Sequence, residues 1–262
     1  MTAQPVVFIP GLWVHSAAWQ PWLERFRAAG YDPHNPGWPG ESPTVADTSA
    51  HPERLAGVGL AQINERYTKF IADLPQRPVV IGHSFGGLIA QQLLASGHAS
   101  HAVAIDPGPI KGVTKVPLAQ IRSALPVLKS KKNRERAVAL SARQFRYGFT
   151  NAVPKDEATS LYTRWAIPGP GLPLFEATSA KKDPQSPAAV DTTLGDRGPL
   201  LITGSGRDHT VPEAVTRQAF SLYTNRRATT TYHVFADRGH SLVFDSGWRE
   251  VADYVLTWLQ SH

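Results

Sequence analysis

Residues 78–87 read Pro78-Val79-Val80-Ile81-Gly82-His83-Ser84-Phe85-Gly86-Gly87. The first four form an unbroken apolar run, as expected of a strand covered on both faces inside a parallel sheet. Leu88, Ile89, Leu93 and Leu94 then recur at helical spacing, and Gly97 closes that helix. Between strand and helix stands Gly82-His83-Ser84-Phe85-Gly86, which has the form G-x-S-x-G. A serine on so sharp a turn sits in strained backbone geometry, with its Oγ clear of the sheet's C-terminal edge. Small residues two before and two after it let strand and helix approach closely. With 21 Gly and 17 Ser in the chain, the pattern arises by chance in roughly one such chain in ten. The flanking strand and helix therefore carry the reading of Ser84 as a nucleophile.

The same alternation extends in both directions. Pro5 to Ile9 reads as a short buried strand ending at Pro10-Gly11. Trp19, Trp22, Leu23 and Phe26 place a helix over 17–29, stopped by Gly30. Residues 31–43 are rich in Pro and Gly and read as a loop after a short strand, and 53–74 as one long helix. Downstream, His101 to Asp106, Leu200 to Gly204 and Thr230 to Phe235 read as strands, and Val251, Tyr254, Val255, Trp258 and Leu259 as the stripe of a closing helix. Strands alternating with helices predict an α/β class, with a mainly parallel, doubly wound sheet. Residues 111–198 break the rhythm. Helical stretches near 117–128, 133–147, 155–166 and 172–180 are separated by Pro and Gly, with no strong buried strand. The expected organisation is a core of 1–110 and 199–262 with 111–198 as a helical lid.

The 262 residues are 42% hydrophobic, which excludes a disordered chain, and no run of roughly 18 apolar residues predicts a membrane span. Cysteine is absent, so disulfides, thiolate metal sites and a Cys nucleophile are excluded. That composition, and the lack of a basic then apolar leader in Met1 to Pro5, predicts a cytoplasmic protein. The net charge of +6 is uneven: residues 111–198 hold 15 Lys and Arg against 7 Asp and Glu. The densest cluster, Lys129, Lys131, Lys132, Arg134 and Arg136, lacks the aromatic platform or motif of a nucleic-acid binder and reads as a solvated helical face. No nucleic-acid or membrane partner is expected. The basic excess points instead to a bias toward anionic substrates.

A serine nucleophile needs a base, an orienting acid and donors for an oxyanion. Of ten histidines, His240 follows the last predicted strand and precedes the last helix, which places it at the same sheet edge as Ser84. Asp208 follows the strand 200–204 in the same way and gives the order Ser84, Asp208, His240. Asp106 also ends a strand and competes for the role of acid. The backbone N–H groups of Phe85, after the nucleophile, and of Leu12, in the loop after the first strand, are the oxyanion donors expected. Neither an H-E-x-x-H pattern nor a carboxylate-rich loop occurs, so no metal and no cofactor are expected.

On these residues the chain resembles the α/β-hydrolase fold family over essentially its whole length. Pro10 to Trp19 resembles the H-G-x-x-x-x-S-x-x-W stretch of the family's esterases, cofactor-free haloperoxidases and haloalkane dehalogenases, with Gly11, Ser16 and Trp19 in place and Pro10 replacing the customary His. Asp208-His209-Thr210-Val211-Pro212 resembles the D-x-x-V-P acid loop, and Gly239-His240 the G-H of the catalytic histidine. The resemblance implies a triad of Ser84, Asp208 and His240, an oxyanion hole at Leu12 and Phe85, and a lid at 111–198. It also implies a reaction class. Relatives with an aspartate nucleophile open halides and epoxides, whereas serine forms an acyl-enzyme from an ester, lactone or thioester. Trp13, Phe145, Phe149, Trp165 and Leu242 are the residues expected to line an apolar pocket for a small-molecule acyl or aryl group. The alternatives are a lyase or a cofactor-free perhydrolase or haloperoxidase on this fold, or a catalytically silent ligand-binding module.

Overall fold

The apolar segments read from the sequence pair in parallel. The computed structural model describes residues 3–262, so Met1 and Thr2, part of the N-terminal reading, lie outside the described residues. Strands β1 (Pro5–Ile9), β2 (Asp32–His34), β3 (Val79–His83), β4 (His101–Ile105), β7 (Leu200–Ser205) and β8 (Thr230–Phe235) form one sheet in the order β2-β1-β3-β4-β7-β8. Every pairing in it is parallel. Gly82 stands opposite Ile9 on one side and Ala104 on the other. The loops that follow β1, β3, β4, β7 and β8 therefore all leave from one edge, and each carries a candidate residue.

Helices α1 (Gln20–Ala28), α2 (Val45–Ala50), α3 (Leu60–Ala72), α4 (Phe85–Ala95), α9 (Glu213–Ser221) and α10 (Trp248–Gln260) belong to this alternating part of the chain. α1 packs with α10, and α3 with α4, so helix pairs flank the sheet. Phe8 on β1 meets Trp19 and Phe26 at 5.1 and 5.2 Å between ring centroids. Trp22 lies in the same cluster and donates Nε1–H to the Val243 carbonyl at 2.8 Å, satisfying its one buried polar atom.

Two helices expected as single pieces are broken. The helix over 53–74 is a 3₁₀ turn, Pro52–Leu55, followed by α3. Gly57 between them has φ +72°, a conformation no α-helix contains. The helix over 133–147 becomes a 3₁₀ turn (Lys131–Glu135), a two-residue strand β5 (Ala137–Val138) and α6 (Ala142–Gly148). Ser141 and Gln144 cap α6 reciprocally, which fixes its start nine residues later than periodicity suggested.

Residues between β4 and β7 also hold α5 (Leu118–Leu128), α7 (Lys155–Trp165), β6 (Gly169–Pro170) and α8 (Leu172–Ser179). β5 and β6 pair antiparallel outside the main sheet. This segment grips the loop after β1. The Trp165 carbonyl accepts from His15 N, and Ile167 N donates to the Trp13 carbonyl, each at 3.0 Å. Trp13 Nε1 donates to the Val138 carbonyl at 2.9 Å. On its other side, Ser123 on α5 meets Thr210 beside Asp208, hydroxyl to hydroxyl, at 2.8 Å. No helix among the described residues is long and apolar enough to cross a membrane.

Candidate active site

Ser84 holds φ +56° and ψ −124°, a backbone state that L-residues rarely occupy. The glycines around it are sterically required. A Cβ on Gly82 would sit 2.0 Å from the Gly86 carbonyl oxygen, and one on Gly86 would sit 2.2 Å from that of Ile9. The strained turn is tied on both sides. Ser84 N donates to the Ile105 carbonyl at 3.0 Å, and the Ser84 carbonyl accepts from Gly108 N at 2.8 Å. Phe85 opens α4, so its N–H lies in the first turn, where helix donors have no intrahelical partner. Gly11 brings the other loop close: a Cβ there would stand 2.7 Å from that of Ser84. Leu12 follows directly. Neither its N–H nor that of Phe85 is taken by an acceptor among the described residues.

His240 and Asp208 meet at 2.5 Å, Nδ1 to Oδ2, with both side chains fully buried. The second Asp208 oxygen accepts from Thr210 N at 2.6 Å and Val211 N at 2.8 Å, which fixes the carboxylate in the loop after β7. His240 Nε2 has no partner among the described residues. Its ring lies between two others, His83 at 4.4 Å and Phe149 at 4.8 Å and near perpendicular. His83, which precedes Ser84 in the chain, thus packs its ring on the candidate base. Burial, then the charge of His240, holds its imidazole well below the usual range, so it stays neutral.

Asp106 joins the group from β4. It also has positive φ, +43°, and is fully buried. Oδ1 accepts from Thr203 Oγ1 at 3.0 Å, and Oδ2 has no partner among the described residues. Burial, reinforced by the charge of Asp208, raises its carboxyl well above the carboxylate range. The two acids thus stand in unlike surroundings: Asp208 pairs with His240, whereas burial favours the protonated form of Asp106. One donor atom from each of Asp106, Asp208 and His240 lies within 4.8 Å of the others. An ion bridging His240 and Asp208 would need both ligand atoms about 2.0–2.2 Å from itself, and their direct hydrogen bond occupies that space.

The model of the alpha/beta hydrolase family matches residues 6–254. The chain belongs to that family. Among solved structures, a methylesterase from Arabidopsis is similar at 15% identity and TM-score 0.68, over 99% of this chain and 100% of that one. An extracellular α/β-hydrolase from a Paenibacillus species matches at 20% identity and TM-score 0.69, over 97% and 98% of the two chains. An esterase from Exiguobacterium antarcticum matches at 14% and 0.68, over 99% and 92%. At these identities the likeness is one of fold. A search of curated proteins found no significant match.

Above Ser84 this α/β hydrolase holds a cavity of about 460 Å³. Ser84, Phe85 and Trp13 line it, with Ile110, Val113, Ala124, Leu128, Leu174 and Ala177 among its apolar wall residues. Of the five expected pocket residues only Trp13 is in that wall. Phe145 and Phe149 stack parallel at 4.8 Å and 2°. Phe145 also meets Phe244, and Phe149 props His240, so both rings are spent joining the helical segment to the core. Leu242 is fully buried beside His240 in sequence, and Trp165 packs half-buried under Arg164. The wall that sequence reading missed is small and aliphatic, drawn from α5, α8 and the loop after β4. One signal was available: Leu118, Ile121 and Leu125 give α5 an apolar stripe that stays exposed, so the helix is more apolar than its packing needs.

Proposed function

We propose that this α/β hydrolase is a serine hydrolase that cleaves carboxylic esters through an acyl-enzyme. The observation that carries the reading is the strained Ser84 at the floor of an apolar cavity, on the same sheet edge as the buried Asp208–His240 pair. In this mechanism Ser84 Oγ attacks the ester carbonyl while His240 Nε2 takes its proton. Asp208 holds the imidazole in the tautomer that presents Nε2 and stabilises the imidazolium. The Leu12 and Phe85 N–H groups donate to the developing oxyanion. His240 then returns the proton to the leaving alcohol, and water attacks the acyl group by the reverse route. Nothing in these steps calls for a cofactor. Lactones and thioesters would follow the same path.

The aliphatic wall supports an apolar acyl or aryl group, and residues 111–198 act in this reading as the lid over a core of 1–110 and 199–262. The similar structures described as esterases support the same class. The cysteine-free composition supports a reducing compartment, the cytoplasm. The experiment is twofold: labelling by a fluorophosphonate probe, and turnover of p-nitrophenyl esters of rising acyl length. We expect stoichiometric labelling at Ser84 and hydrolysis of medium-chain esters. A folded protein that neither labels nor turns over any ester would be a binding module instead.

A further inference from the structure

The cavity over Ser84 is graded in burial. Ser84, Phe85, Ser123, Ala180 and Val211 are buried, whereas Lys115, Val116, Ile121 and Lys181 on the same wall are exposed. The serine therefore sits at the closed end and the two lysines at the open one. Lys115 and Lys181 are the only charged residues in the lining, which contains no acid. They come from different parts of the helical segment, the loop before α5 and the residues after α8, and converge on one mouth.

Neither ammonium makes an ion pair or hydrogen bond among the described residues. Lys111, nearby in sequence, donates Nζ to the carbonyls of Asp183 and Pro184 at 2.9 and 3.0 Å, and so serves the chain itself. The one lysine ion pair among the described residues joins Lys69 to Glu65 on α3. Lysines that only solvate a surface stand equally well among acids. Here two unpaired ones stand at the exposed part of an apolar cavity wall, in a segment that holds 15 basic and 7 acidic residues.

We infer that the substrate is an ester whose apolar acyl chain ends in an anionic group, a carboxylate, held at the mouth by Lys115 and Lys181. This rests on the ester reading above. The cavity is of the size that buries a drug-sized ligand, so an extended chain runs from the acylated Ser84 through aliphatic wall to the two ammonium groups. Exposed ion pairs are individually weak, so two of them together give a preference of about fivefold rather than thousands.

The test compares p-nitrophenyl hydrogen suberate with p-nitrophenyl octanoate on the parent protein and on the double variant Lys115→Gln/Lys181→Gln. The quantity read is the ratio of kcat/KM for the two esters. We expect the acid-ended ester to lead by about fivefold at low salt, with the lead shrinking at high salt and vanishing in the double variant. Equal rates in the parent, or a lead that survives in the double variant, overturns the inference while leaving the esterase reading in place. If neither ester is turned over, the esterase reading fails. Calorimetric titration with octane-1-sulfonate then decides the site by itself. Tighter binding to the parent than to the double variant supports the lysine mouth, and equal binding rejects it.

Discussion

At Gly82 and Gly86 an added Cβ would stand 2.0 and 2.2 Å from backbone oxygens, so the turn that carries Ser84 admits one residue type at each position. Across the cavity, Ala124 on α5 and Leu174 on α8 face open space. Their size sets how much room a ligand has and little else. The turn is determined by main-chain sterics, and those leave a trace in the sequence. The cover is determined by which of several apolar side chains turns inward, and any of them is compatible with its helix. The first region should be intolerant and decide whether the chemistry runs. The second should be tolerant and decide on what it runs.

The largest effect should come from removing the proposed nucleophile. Ser84→Ala keeps the Cβ and the strained backbone, so folding should persist. In a serine hydrolase, losing the nucleophile costs on the order of 10⁶ in kcat. We expect turnover of p-nitrophenyl esters to fall to background and fluorophosphonate labelling to disappear, with an unchanged circular dichroism spectrum. A folded Ala variant within tenfold of the parent would move the chemistry away from this turn.

The next effect separates the two buried acids. Replacing the orienting aspartate by Asn costs about 10⁴ in the trypsin example of this triad, because the imidazole takes the wrong tautomer. Asp208→Asn should lose several orders of magnitude in kcat. Asp106→Asn should lose far less, since no histidine pairs with Asp106 among the described residues, its burial favours the protonated carboxyl, and Asn is close to a neutral carboxylic acid in shape. A linked stability effect follows. The folded-state pKa of Asp106 is raised, so above the ordinary carboxylate range the unfolded chain gives up this proton while the folded chain keeps it. Folding then weakens as pH rises from about 4 toward the raised value. Denaturant titrations across that window should show a smaller downward slope for Asp106→Asn than for the parent. The reverse ranking of kcat in two folded variants would assign the acid to Asp106.

This pair also shows what could be read without coordinates. The alternation of apolar runs and helices placed Ser84, Asp208 and His240 on loops leaving one sheet edge. Parallel pairing brings such loops together whatever the lengths between them, so their convergence was legible. That Asp106 would reach the same edge was legible too, which made it a competitor; which acid would meet His240 was not fixed by the alternation, because a side chain's direction depends on φ, and the +43° at Asp106 is set by the surrounding packing. The contact of the His83 ring with His240 was hidden for a related reason, since the direction of a side chain at a tight turn is set by local backbone geometry. In residues 111–198 the helices were visible by period, but the Ser141 cap there, like the break at Gly57 in the core, shows how local geometry overrides period at element ends. Aromatic residues drew attention by size. Phe145 and Phe149 have the area to fix the segment to the core, and the cavity was left to smaller neighbours.

That division makes Phe145 a stability residue. Its ring is fully buried and packs on Phe149, Tyr162 and Phe244 at 4.8, 5.5 and 6.4 Å. Phe145→Ala should cost about 3–5 kcal/mol of unfolding free energy from lost burial and the cavity left behind. The surviving folded fraction should keep the parent's order of preference among esters. A variant of normal stability with a reordered preference would place the ring in the substrate wall after all.

The smallest effect is the one that tests the cover's tolerance. Ala124 is half-buried on α5 and lines the cavity, with its helix otherwise exposing Leu118, Ile121 and Leu125. Ala124→Phe adds a ring into open volume, where nothing need move to admit it, so thermal stability should change little. The ring would occupy space that a medium-length acyl chain needs and an acetyl group does not. Each methylene denied burial forfeits about 0.8 kcal/mol of transfer free energy. Losing the equivalent of two methylenes is therefore worth about tenfold in kcat/KM. We expect p-nitrophenyl octanoate to slow by about that factor while p-nitrophenyl acetate holds its rate, which shifts the ratio rather than the chemistry. If both esters slowed together, the substitution would be acting through Ser123 and Thr210 on the Asp208 loop, and the cover would be part of the catalytic support instead of a selector of substrates.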